Sequence, residues 1–172
     1  EMTVDHVHEE IQLLMIDVST MLMETSVNTP SWAAYYKAHD QTSSYRYMKK
    51  VLQCCQFQRG GDRWVLKSPQ HLEQFPVLVD VFPDATFVLS KQEWDAISDG
   101  GLTDGYVKSQ YDFGFDFRTF DFDSRGTDSF ATFGRSFDLF GDGSIRAVFT
   151  PGHSHGHTSY VLRLREREVL VA

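Results

Sequence analysis

The amino-acid composition changes at residues 82–88, whose sequence is FPDATFV. All five methionines and both cysteines precede this segment, whereas ten of the 14 phenylalanines follow it. Apolar residues before it recur at helical spacing, and the residues after it form short alternating runs separated by glycine and aspartate. We therefore predict an α+β protein, in which a helical N-terminal half with a short strand–helix–strand unit packs on a mixed or antiparallel sheet from the C-terminal half.

The N-terminal half, residues 1–88, carries several helix signals. Apolar positions three and four residues apart predict one helix over residues 8–25. Proline and serine start signals and the Gly60–Gly61 stop predict further helices over residues 30–38, 43–58 and 69–81. Residues 64–67 and 87–89 are typical of short strands, and strand, helix and strand at this spacing predict a parallel crossover unit.

The C-terminal half, residues 89–172, is predicted to be mostly strands after a short helix over residues 91–98. Residues 112–123 alternate aromatic and polar side chains, which suits a half-buried strand or a loop held by phenylalanines. A GDG turn at residues 141–143 predicts a hairpin, and two more strands are predicted over residues 159–164 and 168–171. Because no Gly/Ser-rich linker separates the halves, we expect one integrated folded unit.

Charge and composition exclude some classes of partner. A net charge of −8 argues against nucleic acid or an anionic membrane as the main partner. No apolar run reaches the roughly 20 residues that span a bilayer. The adjacent pair Cys54–Cys55 does not predict a disulfide framework, so we expect a cytoplasmic protein. Unpaired strand edges recruit partners, and we therefore expect self-association into a homodimer or a larger oligomer.

A cluster of three histidines lies directly after a predicted strand. His153, His155 and His157 occupy a Gly/Pro-rich loop with the sequence TPGHSHGHTS, residues 150–159. Imidazole is a common ligand of zinc and similar divalent metals, and glycines let a loop fold tightly enough for rings to converge. Alternate residues of an extended segment point to opposite faces, however, so ordinary hydrogen-bonded histidines explain the spacing equally well.

The segment FDLFGDGSI (residues 137–145), followed by TPGH and GHTS, resembles the metallo-β-lactamase superfamily, nearest its lactonase-like branch, from about residue 82 to the end. The resemblance implies that His153 is a metal ligand, that His157 is a supporting residue and that His155 lies at a variable position. The superfamily's H-x-H-x-D-H motif is absent, as are its bridging aspartate and its last histidine. A complete dinuclear site is therefore not expected within this chain.

The segment WVLKSPQHL (residues 64–72), with FPDA downstream, resembles a bacterial sulfotransferase family over residues 1–88. Such enzymes transfer a sulfuryl group and need a phosphate-cradling loop, which this chain lacks, and their Arg-Asp-Pro segment is replaced after the strand at Phe87. These departures argue against sulfotransferase activity. Lys67 and Ser68 suit either an anion site or a helix cap beside an exposed lysine.

Together these observations predict a chimera of two incomplete families. The first functional hypothesis is a metal-binding protein that holds zinc or a similar ion and weakly hydrolyses an ester, lactone or phosphoester. His6 and His8 would join its site if they fold near His153. The alternative is a folded, non-catalytic recombinant or designed chimera whose histidines are structural.

Overall fold

The computed structural model describes residues 9–100, 107–112 and 114–171. The chain divides into two compact units, one comprising residues 1–85 with 109–113 and the other residues 86–108 with 114–172. Helices fill the first, which we call the N-terminal unit, and strands dominate the second, the C-terminal unit. The predicted α+β class is confirmed, whereas the integration of both parts into one folded unit stays a prediction.

Six helices are described in the N-terminal unit. They are α1 (Ile11–Ile16), α2 (Leu22–Ser26), α3 (Pro30–Ala38), α4 (Thr42–Arg59), α5 (Gln70–Glu73) and α6 (Phe75–Val81). The longest, α4, ends at Gly60, whose φ of 71° favours glycine. Among the residues that the structure describes, no helix is both long and apolar enough to cross a bilayer.

The single helix predicted over residues 8–25 is wrong, because the chain breaks between α1 and α2. Val18 adopts a φ of 58°, which a β-branched residue rarely does and which a helix cannot contain. The Thr20 hydroxyl accepts the N–H of Leu22 at 3.2 Å, just before the second helix. The left-handed backbone at Val18 therefore interrupts an apolar pattern that is periodic throughout.

The predicted strand at residues 64–67 is also wrong, and so is the crossover unit built on it. The N–H of Lys67 donates to a carboxylate oxygen of Glu10 at 3.1 Å. The strand β1 (Phe87–Ser90) instead pairs in parallel with β2 (Phe117–Phe120). An apolar run of four residues cannot indicate by itself whether a neighbouring strand exists.

The N-terminal unit has its core along α4. Its buried apolar side chains are Ile11, Leu14, Tyr36, Tyr45, Met48, Leu52, Leu78 and Val81. Lys49 donates from its Nζ to the carbonyl of Val81 at 2.7 Å and lies over the ring of Phe82 at 5.2 Å. The lysine therefore joins α4 to the end of α6 by a hydrogen bond and a cation–π contact.

The C-terminal unit contains α7 (Lys91–Asp99) and a five-stranded antiparallel sheet in sequence order. The strands of the sheet are β3 (Asp128–Phe130), β4 (Phe133–Asp138), β5 (Ile145–Phe149), β6 (Thr158–Arg163) and β7 (Glu168–Val171). The predicted hairpin and the two later strands are confirmed as β4 to β7. In the hairpin turn the carboxylate of Asp138 accepts the N–H groups of Gly141 and Gly143 at 2.9 and 2.8 Å.

Aromatic residues form the core of the C-terminal unit. Phe120 and Phe122 are buried, and their ring centroids lie 5.1 Å apart in an edge-to-face arrangement. Phe137 stacks on Phe120 at 5.6 Å, and Phe149 meets Phe122 at 5.0 Å. The alternating segment at residues 112–123 thus supplies the strand β2 and two phenylalanine rings of the core. It combines the two alternatives that the sequence left open, a half-buried strand and a loop held by phenylalanines.

Candidate functional site: the histidine loop

The histidine loop, residues 150–157, is the connection between β5 and β6. Phe149 and Thr158 are the last residues paired in register on β5 and β6, directly beside the loop. At the base of the loop, the N–H of Thr150 donates to the carbonyl of His157 at 3.0 Å. The hairpin therefore fixes where the loop leaves and re-enters the sheet.

The first turn of α7 holds the loop from the other side. The buried hydroxyl of Ser90 caps the helix by accepting the N–H of Glu93 at 3.1 Å, and it donates to the carbonyl of Gly156 at 2.9 Å. The Glu93 carboxylate accepts the Ser154 hydroxyl at 2.6 Å and the N–H of Gly156 at 3.0 Å. A carboxylate in the first turn of a helix is also stabilised by the helix dipole.

His157 has a defined ring orientation. Its Nδ1 lies 2.9 Å from the carbonyl oxygen of Thr150 and 3.0 Å from the Thr150 hydroxyl, which in turn lies 2.8 Å from the hydroxyl of Ser159. A carbonyl can only accept, so Nδ1 carries a proton in the first of these bonds. In the neutral ring, Nε2 then presents a lone pair.

The other two histidines are exposed. The ring centroids of His153 and His157 lie 5.8 Å apart at an interplanar angle of 80°, while His155 is an exposed member of the same loop. The described part of the chain contains no group of three His, Cys, Asp or Glu side chains that could hold a metal ion. The residues present therefore do not fit a complete zinc site, and the expected positions His6 and His8 lie outside the described residues.

A second polar cluster, which the sequence did not indicate, lies inside the N-terminal unit. The Tyr45 hydroxyl is 3.0 Å from Nδ1 of His71, and Nε2 of His71 is 2.5 Å from a carboxylate oxygen of Glu10. All three residues are buried. Burial raises the pKa of Tyr45 far above its ordinary value, so its hydroxyl stays protonated.

Lys67 and Ser68 lie next to this cluster. The Lys67 side chain is 45% exposed and pairs with Glu9 at 2.6 Å, which agrees with a partly solvated lysine. Ser68 is buried, and its hydroxyl has no hydrogen-bond partner within residues 9–100, 107–112 and 114–171. Neither prediction for Lys67 and Ser68, an anion site or a helix cap beside an exposed lysine, describes this arrangement fully.

Sequence reasoning also missed Glu93 as the residue that holds the histidine loop. The pattern Ser90-x-x-Glu93 is a capping-box signature, which could have indicated the helix start. It could not have indicated contacts with Ser154 and Gly156, because these lie more than 60 positions away in sequence.

Curated relatives resemble the chain over about two thirds of its length. An N-acyl homoserine lactonase AttM of Rhizobium johnstonii is 30% identical over 112 residues, covering 63% of this chain and 39% of the relative. The AttM lactonases of Azorhizobium caulinodans and Agrobacterium fabrum are each 28% identical, over 59% and 67% of this chain and 36% and 41% of theirs. The chain thus spans about two fifths of these relatives, and no solved structure matches it significantly.

A family model described as the sulfotransferase family matches residues 1–91. The lactonase similarity overlaps this match, because 63% of the chain is about 108 residues and only 81 residues, 92–172, lie outside it. The family match covers 91 of 172 residues, including α1 to α6 and β1. By that match, the chain belongs to the sulfotransferase family.

Proposed function

We propose that the protein binds a divalent metal ion such as zinc through the histidine loop and acts as a weak hydrolase. The observation that carries this proposal is the bond between Nδ1 of His157 and the carbonyl of Thr150. Histidines that bind metals commonly donate their other ring N–H to a backbone carbonyl, which sets the ring orientation and leaves Nε2 for the ion.

His153 is the natural second ligand. Its ring lies 5.8 Å from that of His157, close enough for both rings to reach one ion at the usual nitrogen–zinc distance of about 2.0–2.1 Å. Two ligands do not complete a site, since catalytic zinc sites use three protein ligands and one open position. The proposal therefore includes self-association, in which a second copy of the chain supplies the missing ligands.

The proposed substrates are esters, lactones or phosphoesters. Support comes from the names of the curated relatives, which are N-acyl homoserine lactonases of about 28–30% identity. We further propose that the chain is a chimera of sulfotransferase-like and lactonase-like parts. The free thiols of Cys54 and Cys55 suit the proposed cytoplasmic location.

A second candidate function is a non-catalytic protein whose histidines are structural. Two observations favour it. Nδ1 of His157 already bonds to the carbonyl of Thr150 at the other end of the loop, and the described residues contain no group of three side chains that could hold a metal ion. In this alternative, the histidine loop is an ordinary hairpin connection.

Metal analysis of chelator-stripped, zinc-reloaded protein separates the two candidates. We expect the wild type to bind about one zinc ion per histidine-loop site, and we expect a His153→Ala/His157→Ala double variant to bind none. His39→Ala is the matched control, because His39 lies in the N-terminal unit with its Nδ1 2.9 Å from the carbonyl of Tyr35. Zinc well below one per two chains in the wild type would contradict the first candidate.

Activity provides the second measurement. Hydrolysis of an activated ester and of an N-acyl homoserine lactone should require zinc and should fall to background in the double variant. Unchanged hydrolysis in that variant would exclude the histidine loop as the site.

A further inference from the structure

The outward face of α4 carries a shallow hollow that is lined by side chains of this helix alone. They are Lys50, Gln53, Cys54, Phe57 and Gln58, which we call the α4 face. The first four lie at positions i, i+3, i+4 and i+7, and four such neighbours form the hole that receives a side chain in knobs-into-holes packing. Phe57 is 92% exposed, although phenylalanine is usually buried. The spacing and the exposed ring therefore suit the α4 face to pack against a second helix.

The charge of α4 is opposite to that of the rest of the chain. Residues 42–59 contain four basic side chains and no acidic one in a protein of net charge −8, so the remainder carries −12. Lys50 and Arg59 are exposed before and after Phe57 along the helix. Neither forms an ion pair within the part of the chain that the structure describes. These cations are therefore available to acidic groups of another molecule.

Other occupants match the α4 face less well. A second copy of α4 would place two cationic faces together, and like charges across an interface oppose association. Insertion into a membrane surface needs a continuous apolar face, whereas the polar side chains of Gln53 and Gln58 interrupt this one. Nucleic acid is repelled by the net charge of −8. The spacing of the hole and the local positive charge together favour a helix of negative charge.

We propose that the α4 face is a docking surface for an acidic amphipathic helix of a partner protein. An apolar side chain of that helix, such as leucine, enters the hollow beside Phe57. Glutamates or aspartates along its flanks meet Lys50 and Arg59. This inference does not depend on the proposed metal site, because α4 lies in the N-terminal unit and the histidine loop lies in the C-terminal unit.

The contact surface is small, so we expect weak binding. A helix of 18 residues is about 27 Å long and offers one face to its partner. Standard protein interfaces bury about 800 Å² on each partner, more than a single helix face of this length provides. We therefore expect a dissociation constant on the order of 10–100 μM, in the range of transient complexes.

Two synthetic peptides test the charge and the shape of the partner. Both are helical and carry leucine at the heptad positions a and d, and they differ only in having glutamate or lysine at positions e and g. Fluorescence anisotropy of labelled peptide, titrated with the full chain, measures binding. We expect the glutamate peptide to bind at least roughly tenfold more tightly than the lysine peptide, and added salt to weaken its binding.

The net charge of the protein makes this comparison stringent. A charge of −8 favours the lysine peptide, so a preference for the glutamate peptide requires a local basic surface. Equal binding of the two peptides, or tighter binding of the lysine peptide, would overturn the proposal.

Substitutions locate the bound peptide on the protein. Phe57→Ala should weaken binding of the glutamate peptide about tenfold, because the exposed ring is the main apolar contact. Lys50→Glu should reduce the preference for glutamate over lysine. Leu72→Ala is the matched control, because Leu72 is 54% exposed in the same unit and belongs to α5. Equal weakening in Phe57→Ala and Leu72→Ala would show that the peptide does not bind the α4 face.

Sedimentation without peptide tests whether a second copy occupies the surface. Equal self-association of the wild type and Phe57→Ala supports the proposal, whereas self-association that Phe57→Ala abolishes would assign the α4 face to a second copy and overturn it. Vesicles of phosphatidylserine and phosphatidylcholine test a membrane in the same way. Vesicle binding that Phe57→Ala abolishes would also overturn the proposal.

Discussion

Gly156 lies so close to Glu93 that a β-carbon at position 156 would overlap the backbone N and Cα of Glu93. The same pair is joined by a hydrogen bond of 3.0 Å from the N–H of Gly156 to the Glu93 carboxylate. The missing side chain at position 156 is therefore what allows the histidine loop to contact α7. Backbone atoms cannot move aside as a flexible side chain can, so the contact is specific for glycine.

The variant Gly156→Ala should be clearly destabilised. The added methyl group must push the loop and α7 apart, and overpacking of this kind costs about 1–3 kcal/mol. Urea unfolding measures the loss. Gly134→Ala is the matched control, because a β-carbon there meets no atom within 4 Å and should leave the unfolding free energy nearly unchanged. Equal effects of the two substitutions would show that the close approach to Glu93 is not maintained in solution.

Removal of the Glu93 side chain should loosen the histidine loop. Glu93→Ala leaves the Ser154 hydroxyl and the Gly156 N–H without their shared acceptor, at a cost of about 1–3 kcal/mol. Ser154→Ala removes one of the two bonds and should cost less. The loop should become mobile before the sheet does, which amide exchange at Gly156 measures. Unaltered exchange at that amide in Glu93→Ala would show that Glu93 does not hold the loop.

The histidines of the loop should differ in their effect on stability when a chelator is present. His157→Ala removes the bond to the Thr150 carbonyl, and we expect a loss of about 1 kcal/mol in thermal unfolding. His155→Ala should have no measurable effect, because that side chain is exposed. His157→Asn, whose amide can replace the Nδ1 donor, should recover part of the stability. Equal losses of stability in His155→Ala and His157→Ala would contradict the hydrogen bond assigned between His157 and the Thr150 carbonyl.

Alkaline pH should destabilise the protein, in part through Tyr160. Burial raises the pKa of Tyr160 to about 12, above the ordinary value of about 10, so the folded state holds this proton more tightly than the unfolded state does. Its contribution is therefore complete below about pH 10 and is lost as pH rises toward 12, at up to about 1.4 kcal/mol per pH unit. Urea unfolding from pH 9 to 11.5 should show a shallower decline in Tyr160→Phe than in the wild type. Identical slopes would mean that Tyr160 is solvated in the folded state.

Much of the C-terminal unit could be predicted because its signals are local. The GDG turn requires residues that accept positive φ, and Gly141 and Gly143 adopt φ values of 72° and 69° in the hairpin. The helix α7 is capped by Ser90, three positions before Glu93. Such contacts lie within a few residues in sequence and can be recognised without knowing the rest of the chain.

The N-terminal unit was predicted less well because distant contacts decide it. The run at residues 64–67 has a strand-like composition, yet its Lys67 N–H bonds to Glu10, 57 positions earlier. The break at Val18 interrupts an apolar repeat that continues on both sides. Periodicity reports which residues are apolar, and it does not report where a backbone must turn.

The sequence by itself determined the α+β class, the hairpin, the cluster of histidines and the two family resemblances, since these depend on residue type and short spacing. Only the tertiary structure decided that Glu93 holds the histidine loop, that His157 is clasped by Thr150 while His153 and His155 are exposed, and that Glu10 reaches His71 and Tyr45. The physical reason is that hydrogen bonds act over about 3 Å, whereas the residues that make these bonds can be separated by 60 positions along the chain.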